Sequence, residues 1–310
     1  MIERVRARLR PFVRAWVTLP GNVRGALWTL LAAVGFTGMT VCIKYAAQTM
    51  PVWEIVVLRA LFAVILLSPA IIRAGRPLWQ TNRWPGHILR SVFGLCGVTT
   101  MMWSIAHLDL ALATTLGFTR ALFMILLAVL FLGEVIRWRR SLATLVGFGG
   151  VVLCMQPINA GIDPWILVGL VAALFAAGVT TMVKRLTTSE PPLRIIVISY
   201  ILIGVMALVP ASLVWKAPTF TELAFIALMS GFSAWGQTCM VHGLRAGEAT
   251  AVVPFEYSRL VYAAAIGFAL FGEIPSLWTW LGAMVIVLST LYIALREAKL
   301  AKQRHPATET

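Results

Sequence analysis

The sequence predicts an all-α integral membrane protein of ten transmembrane helices, arranged as two inverted five-helix repeats with both termini cytoplasmic. Three observations lead there. First, 60% of residues are hydrophobic and only 12% charged, with a mean hydropathy of +0.87, where soluble domains carry about 25% charge. Second, apolar stretches of about 20 residues, the length that crosses a bilayer core as a helix, recur along the chain. Third, the basic residues fall on alternate connections, as the positive-inside rule requires.

The elements follow in order. Residues 1–24 form a basic lead with Arg4, Arg6, Arg8, Arg10, Arg14 and Arg24, broken by Pro11 and Pro20. The near-alternate spacing of the first four makes no single helical face, and the lead reads as a cytoplasmic tail lying on anionic lipid. Ten spans follow, at 25–46, 53–72, 87–106, 110–132, 141–157, 165–184, 194–214, 221–243, 249–272 and 277–296. Prolines at 51, 85, 164, 191, 192, 218 and 275 mark ends where a helix is most easily broken. Trp28, Trp53, Trp84, Trp138, Trp165, Trp215 and Trp278 sit near the ends, as an aromatic belt does. With the N-terminus inside, one set of loops holds Arg73, Arg76 and Arg83; Arg137, Arg139 and Arg140; Lys184, Arg185 and Arg194; then Arg245. The tail 297–310 adds Lys299, Lys302 and Arg304, whereas the opposite loops hold only Lys216. The net charge of +14 is therefore an orientation signal, and nucleic-acid binding is set aside. Cys42, Cys96, Cys154 and Cys239 lie inside apolar stretches without metal-type spacing. No metal or cofactor site is expected.

Internal similarity organises the chain into units 25–157 and 158–296. Gly38 to Lys44 lies over Gly178 to Lys184, an offset of 140 residues (178 − 38). At an offset of 139, Ser91, Phe93, Gly97 and Thr99 match Ser230, Phe232, Gly236 and Thr238. The same step pairs Arg120 with Arg259, and Gly133-Glu134 with Gly272-Glu273. Each half has five spans, an odd number, so the second enters from the opposite face. The glycine pairs Gly35/Gly38, Gly94/Gly97 and Gly147/Gly150 read as close-packing positions between helices.

The two blocks from Ala111 to Glu134 (ALATTLGFTRALFMILLAVLFLGE) and from Thr250 to Glu273 (TAVVPFEYSRLVYAAAIGFALFGE), each followed by a glycine-containing helix, resemble the EamA-type members of the drug/metabolite transporter superfamily. The resemblance covers nearly everything after residue 24. It implies a ten-helix fold, movement of a small metabolite across a membrane, and Glu134 and Glu273 as helix-end hallmarks. The helical spans and basic cytoplasmic side point to a bacterial inner membrane. The chain departs from the family where proline is common midway along these helices and it carries Arg120 and Arg259 instead.

The charges inside the membrane give the candidate site. A central arginine costs at least about 2.5–3.5 kcal/mol on insertion scales, so Arg120 and Arg259 face the interior. They either bind a carboxylate or phosphate, for which the guanidinium fork is suited, or tie helices together. Glu256 precedes Arg259 by three residues, on a shared helix face, and its first-half mate is Gly117. It either exchanges protons in coupling or stays bridged to Arg259. Phe118 and Tyr257 are repeat mates, and Trp103 and Trp235 lie inside spans; all four either stack on a planar ligand or pack helices. Lys44 and Arg59 are coupling or gating candidates, Arg59 having Glu54 five residues before it. Arg90, a few residues inside its helix, snorkels to the headgroups.

The sequence reading is a secondary carrier of an anionic or zwitterionic metabolite, working by alternating access about a midplane site. The alternative is a carrier of a neutral or cationic solute with structural arginines. A membrane-embedded enzyme lacks HExxH, P-loop and carboxylate-cluster motifs. A passive channel would show repeated polar pore-lining stripes. The expected partners are a small-molecule substrate and the bilayer, and the sequence carries no signal for oligomeric state.

Overall fold

A computed structural model describes residues 19–132, 138–154, 163–186, 189–246 and 253–304. The described residues form α1 (Gly21–Thr49), α2 (Val52–Ala74), α3 (Trp84–His107), α4 (Leu110–Phe118), α5 (Arg120–Leu132) and α6 (Trp138–Cys154). There follow α7 (Pro164–Leu186), α8 (Pro192–Val214), α9 (Phe220–Ala246), α10 (Ser258–Phe271) and α11 (Leu277–Arg304). Two 3₁₀ segments, Arg76–Trp79 and Val253–Tyr257, complete the described elements. Six helices are long and apolar enough to cross a membrane by themselves, and Leu110–Met124, Leu142–Cys154 and Leu277–Tyr292 are shorter apolar stretches. The chain is a multi-pass integral membrane protein.

The helix ends follow local chemistry. Pro51 and Pro191 are the N-caps of α2 and α8, and Pro85 sits in the first turn of α3, where a missing N–H costs nothing. Gly272 ends α10 with φ +67°, and its N–H reaches the carbonyls of Gly267 and Phe268. A left-handed residue there suits glycine. Two spans expected as unbroken helices are interrupted. The stretch 110–132 breaks at Thr119 between α4 and α5, and 249–272 enters α10 through a 3₁₀ turn.

Each crossing packs mainly on one from the other half: α1 on α9, α3 on α7, α2 on α8, α6 on α11, and α4 with α5 on α7, α4 also touching α10. Small residues let the backbones meet. A Cβ on Gly35 would lie 3.0 Å from the Cα of Gly236, and one on Gly282 would lie 2.5 Å from the Gly150 carbonyl oxygen. Several contacts recur at the sequence offset. Gly38 meets the ring of Phe232 and Gly178 that of Phe93; Gly236 meets Phe36 and Gly97 meets Phe175.

The connections are also fastened across the halves. Glu54, in the first turn of α2, is fully buried and accepts the Lys216 N–H at 3.3 Å from the α8–α9 connection. Arg194, in the first turn of α8, donates through Nε to the Leu78 carbonyl at 3.0 Å in the α2–α3 connection and also pairs with Glu190. The largest core cluster runs along α1, α2 and α3, with Ile43, Ile55, Met102 and Leu110 fully buried against Ile226 and Met229 of α9.

Candidate functional site

Both arginines stand beside a break in their helix. At the first, the Thr119 hydroxyl donates to the Leu116 carbonyl at 2.6 Å, and the Thr119 N–H reaches the same carbonyl at 3.1 Å. A β-branched residue whose hydroxyl takes the backbone acceptor competes with the regular ladder, and α5 restarts at Arg120 with Leu122 N–H on the Thr119 carbonyl at 2.9 Å. At the second break the Ser258 hydroxyl donates to the Phe255 carbonyl at 2.7 Å, and Arg259 is the second residue of α10.

The aromatic residues just before these breaks meet. Phe118 and Tyr257 pack edge to face, their ring centroids 4.9 Å apart at 69°. Tyr257 is held from behind: its hydroxyl lies 2.6 Å from Thr290 Oγ1. Because the Thr290 hydroxyl donates to the Ile286 carbonyl at 2.8 Å, Tyr257 is the donor in that contact.

Arg259 is partly buried. Its Nη2 donates to Thr40 Oγ1 at 3.1 Å, and its guanidinium carbon sits 5.6 Å from the Phe36 ring centroid, within cation–π range. Its Nε is buried with no hydrogen-bond partner among the described residues. Arg120 and Glu256 both act on Arg259 electrostatically, so the structure brings the repeat-mate cations to one region. Among the described residues no ion pair joins Glu256 to Arg259. Arg120 is exposed and Glu256 half-buried. At Gly117, the first-half counterpart of Glu256, an added Cβ would meet no atom within 4 Å.

The remaining candidates lie elsewhere. Trp103 stacks edge to face on Trp53 at 5.7 Å, and its carbonyl lies 2.8 Å from His107 Nδ1. Trp235 is 40% exposed and its ring is tilted against Phe232 at 6.4 Å. Arg59 is half-buried on α2, and the hydrogen bond described for Glu54 goes to Lys216 rather than to Arg59. Glu134 lies outside the described residues.

Lys44 and Glu273, read separately in the sequence, form an ion pair. Lys44 Nζ also donates to the Leu108 carbonyl at 2.8 Å, and Glu273 Oε2 accepts the Leu110 N–H at 2.7 Å. The Gly272-Glu273 step thus has a geometric reason. The left-handed glycine turns the chain so that Glu273 N–H closes on the Gly267 carbonyl at 3.1 Å, which swings the carboxylate toward α1 and α4. Thr40, Phe36, Asp109 and Thr290 take part without having been singled out. Thr40 lies in the repeated block Gly38 to Lys44, and that repetition was its available signal.

Comparison with known proteins places the whole chain. The model of the EamA-like transporter family matches residues 23–156 and 163–295. The chain is 30% identical over 281 residues to an S-adenosylmethionine uptake transporter of Rickettsia felis, covering 91% of this chain and 96% of that one. It is 30% identical over 291 residues to a riboflavin transporter of Rhizobium johnstonii, covering 92% and 95%. It is 27% identical over 275 residues to the pseudopaline exporter CntI of Pseudomonas aeruginosa, covering 87% and 95%. One crystal structure, 16% identical, superposes with a TM-score of 0.59 over 89% of this chain and 98% of its own, a likeness of fold alone. With two family matches spanning both halves, this chain belongs to the EamA-like transporter family.

Proposed function

We propose that this protein is a secondary carrier of a small zwitterionic or anionic metabolite with a planar group, working by alternating access in a bacterial inner membrane. Its two halves, 25–157 and 158–296, are inverted repeats, and both termini are cytoplasmic. The carrying observation is the meeting of Phe118 with Tyr257, each followed within two residues by an arginine at a helix break. Broken helices near mid-membrane are where carriers of inverted design bind their solutes. The pairings of each crossing with one from the other half, and the Gly38–Phe232 and Gly178–Phe93 contacts, support the pseudo-twofold.

The chemistry follows from the residues. Arg120 and Arg259 offer fork-shaped donors to a carboxylate, the buried Nε of Arg259 being a donor still to be satisfied. Glu256, half-buried just before Arg259, is the coupling group rather than a contact of the solute. Phe118 and Tyr257 offer a face to a ring, and the open space at Gly117 leaves room beside them. Similarity to carriers of S-adenosylmethionine and riboflavin supports a planar solute. A second reading, a neutral or cationic solute with structural arginines, draws on the bond that already ties Arg259 to Thr40.

A thermal-shift panel of purified protein with S-adenosylmethionine, riboflavin and pseudopaline, followed by proteoliposome uptake, tests this. A ligand at a hundredfold excess over its Kd adds about 2.7 kcal/mol of stability. The zwitterion reading expects stabilisation and uptake of a carboxylate-bearing compound by the wild type, lost in Arg120→Ala and Arg259→Ala with folding retained. Uptake of riboflavin alone, retained in both variants, would establish the second reading instead.

A further inference from the structure

The Lys44–Glu273 pair does something unusual to α4. Asp109 is the N-cap residue of that helix, yet its side chain makes no capping hydrogen bond. The acceptor on the first amide is Glu273 Oε2, from the other half of the protein. An N-cap side chain serves the second or third amide of its helix, so Asp109 and Glu273 do not share a donor. Instead two carboxylates, one native to α4 and one foreign, crowd one helix start beside Lys44. Lys44 arbitrates: it pairs with Glu273 and fastens the α3–α4 turn through the Leu108 carbonyl. Both side chains of the pair are largely shielded, with 12% and 10% exposure. The half-helix they hold carries Phe118 at its far end.

We propose that Glu273, Lys44 and the Leu110 amide form a latch that closes one end of the transport path, and that Asp109, once ionised, opens it by repelling Glu273 and drawing on Lys44. The proposal rests on the carrier reading for its consequence, because a latch across the two halves must release for that end to open. By the topology proposed above, this end is the outer one. The helix N-terminus favours one negative charge, and a second carboxylate ionised next to it is repelled.

The charged groups facing Asp109 set its pH response. Burial raises its carboxyl above the ordinary range, Glu273 raises it further, and Lys44 opposes this. His107, two residues before, is turned onto the Trp165 ring at 3.6 Å, and Asp163 is occupied by the Trp165 N–H at 2.9 Å. A raised value in the latched arrangement means that protonation of Asp109 favours the latch. The latch therefore tightens as pH falls from neutral through that raised value, and weakens as Asp109 ionises.

Hydrogen exchange read by mass spectrometry on the full-length protein tests this without any ligand. In the wild type, exchange across 108–118, corrected for intrinsic rate, should slow as pH falls from neutral. Glu273→Gln and Lys44→Met should speed it by about tenfold or more, the effect of losing a charge-assisted hydrogen bond. Asp109→Ala should slow it and remove its pH dependence. The segment 192–214 serves as the folding control and should not change in any variant. Uptake of S-adenosylmethionine, measured in parallel, should fall in Asp109→Ala because the latch stays shut. Unchanged exchange in Glu273→Gln and Lys44→Met, or faster exchange in Asp109→Ala, overturns the latch. Absence of S-adenosylmethionine uptake by the wild type counts against that solute and leaves the exchange result to decide the latch.

Discussion

Glu190 shows how a single residue is tuned by partners drawn from both halves. Burial pushes its carboxyl up, but the Thr81 hydroxyl at 2.6 Å and the Arg194 guanidinium outweigh that and hold it below its ordinary value of 4.5. A depressed carboxylate contributes stability above the unfolded value and loses it as pH falls through the folded one. The thermal midpoint should therefore drop as pH is lowered from 4.5, in the wild type more than in Glu190→Gln. Equal slopes for the two proteins in a thermal melt series would remove Glu190 from the account. At this scale the sequence is a partial guide. Arg120 and Arg259 stand out because a charge in an apolar stretch demands explanation, and Glu273 because its Gly-Glu step is repeated. Thr40 and Asp109 do not stand out, since a threonine in a membrane helix and an aspartate in a short turn are ordinary. Their meaning comes only from which side chain of the other half reaches them.

Elements are where the sequence reading is fullest and where it slips. Span positions follow from length and apolarity, and α2, α8 and α9 start within two residues of the expected places. The break at Thr119 carries no proline and does not show in hydropathy, whereas Pro254, in the 3₁₀ turn before Ser258, is a readable signal for the second. At both, a hydroxyl captures the carbonyl three residues back, that of Thr119 at the first and that of Ser258 at the second. Small-residue packing is legible as a pattern, but which helices it joins is not. The α6–α11 contact gives a test of that kind. A Cβ at Gly282 would come within 2.5 Å of the Gly150 carbonyl oxygen, backbone that cannot turn aside, whereas one at Gly149 would meet nothing within 4 Å. Gly282→Ala should destabilise by about 1–3 kcal/mol, the range for overpacking, and Gly149→Ala should be near neutral. The expected result is a lower thermal midpoint and less monodisperse protein for the first variant only. Similar behaviour of both would mean that the contact relaxes.

For the whole molecule, the pairing of every crossing with one from the other half makes each half the other's main packing partner. The halves are not equivalent, however, and the inequality falls at the candidate site. Position 117 is glycine beside open space, and its mate is Glu256, half-buried and free of any ion pair with Arg259 among the described residues. A symmetric pair of arginines would bind and release an anion equally in either direction. On the carrier reading proposed above, the one carboxylate set beside one of the arginines is the group placed to couple transport to an ion gradient. The expected result for Glu256→Gln is intact exchange of labelled for unlabelled solute across proteoliposomes, since binding and alternation remain. Accumulation driven by an imposed pH gradient should be lost, since the neutral amide carries no proton. Accumulation that persists would place coupling on another group or show that the carrier only equilibrates its solute. Loss of exchange as well would place Glu256 among the residues that bind the solute, opposite Arg259 on the same charged group.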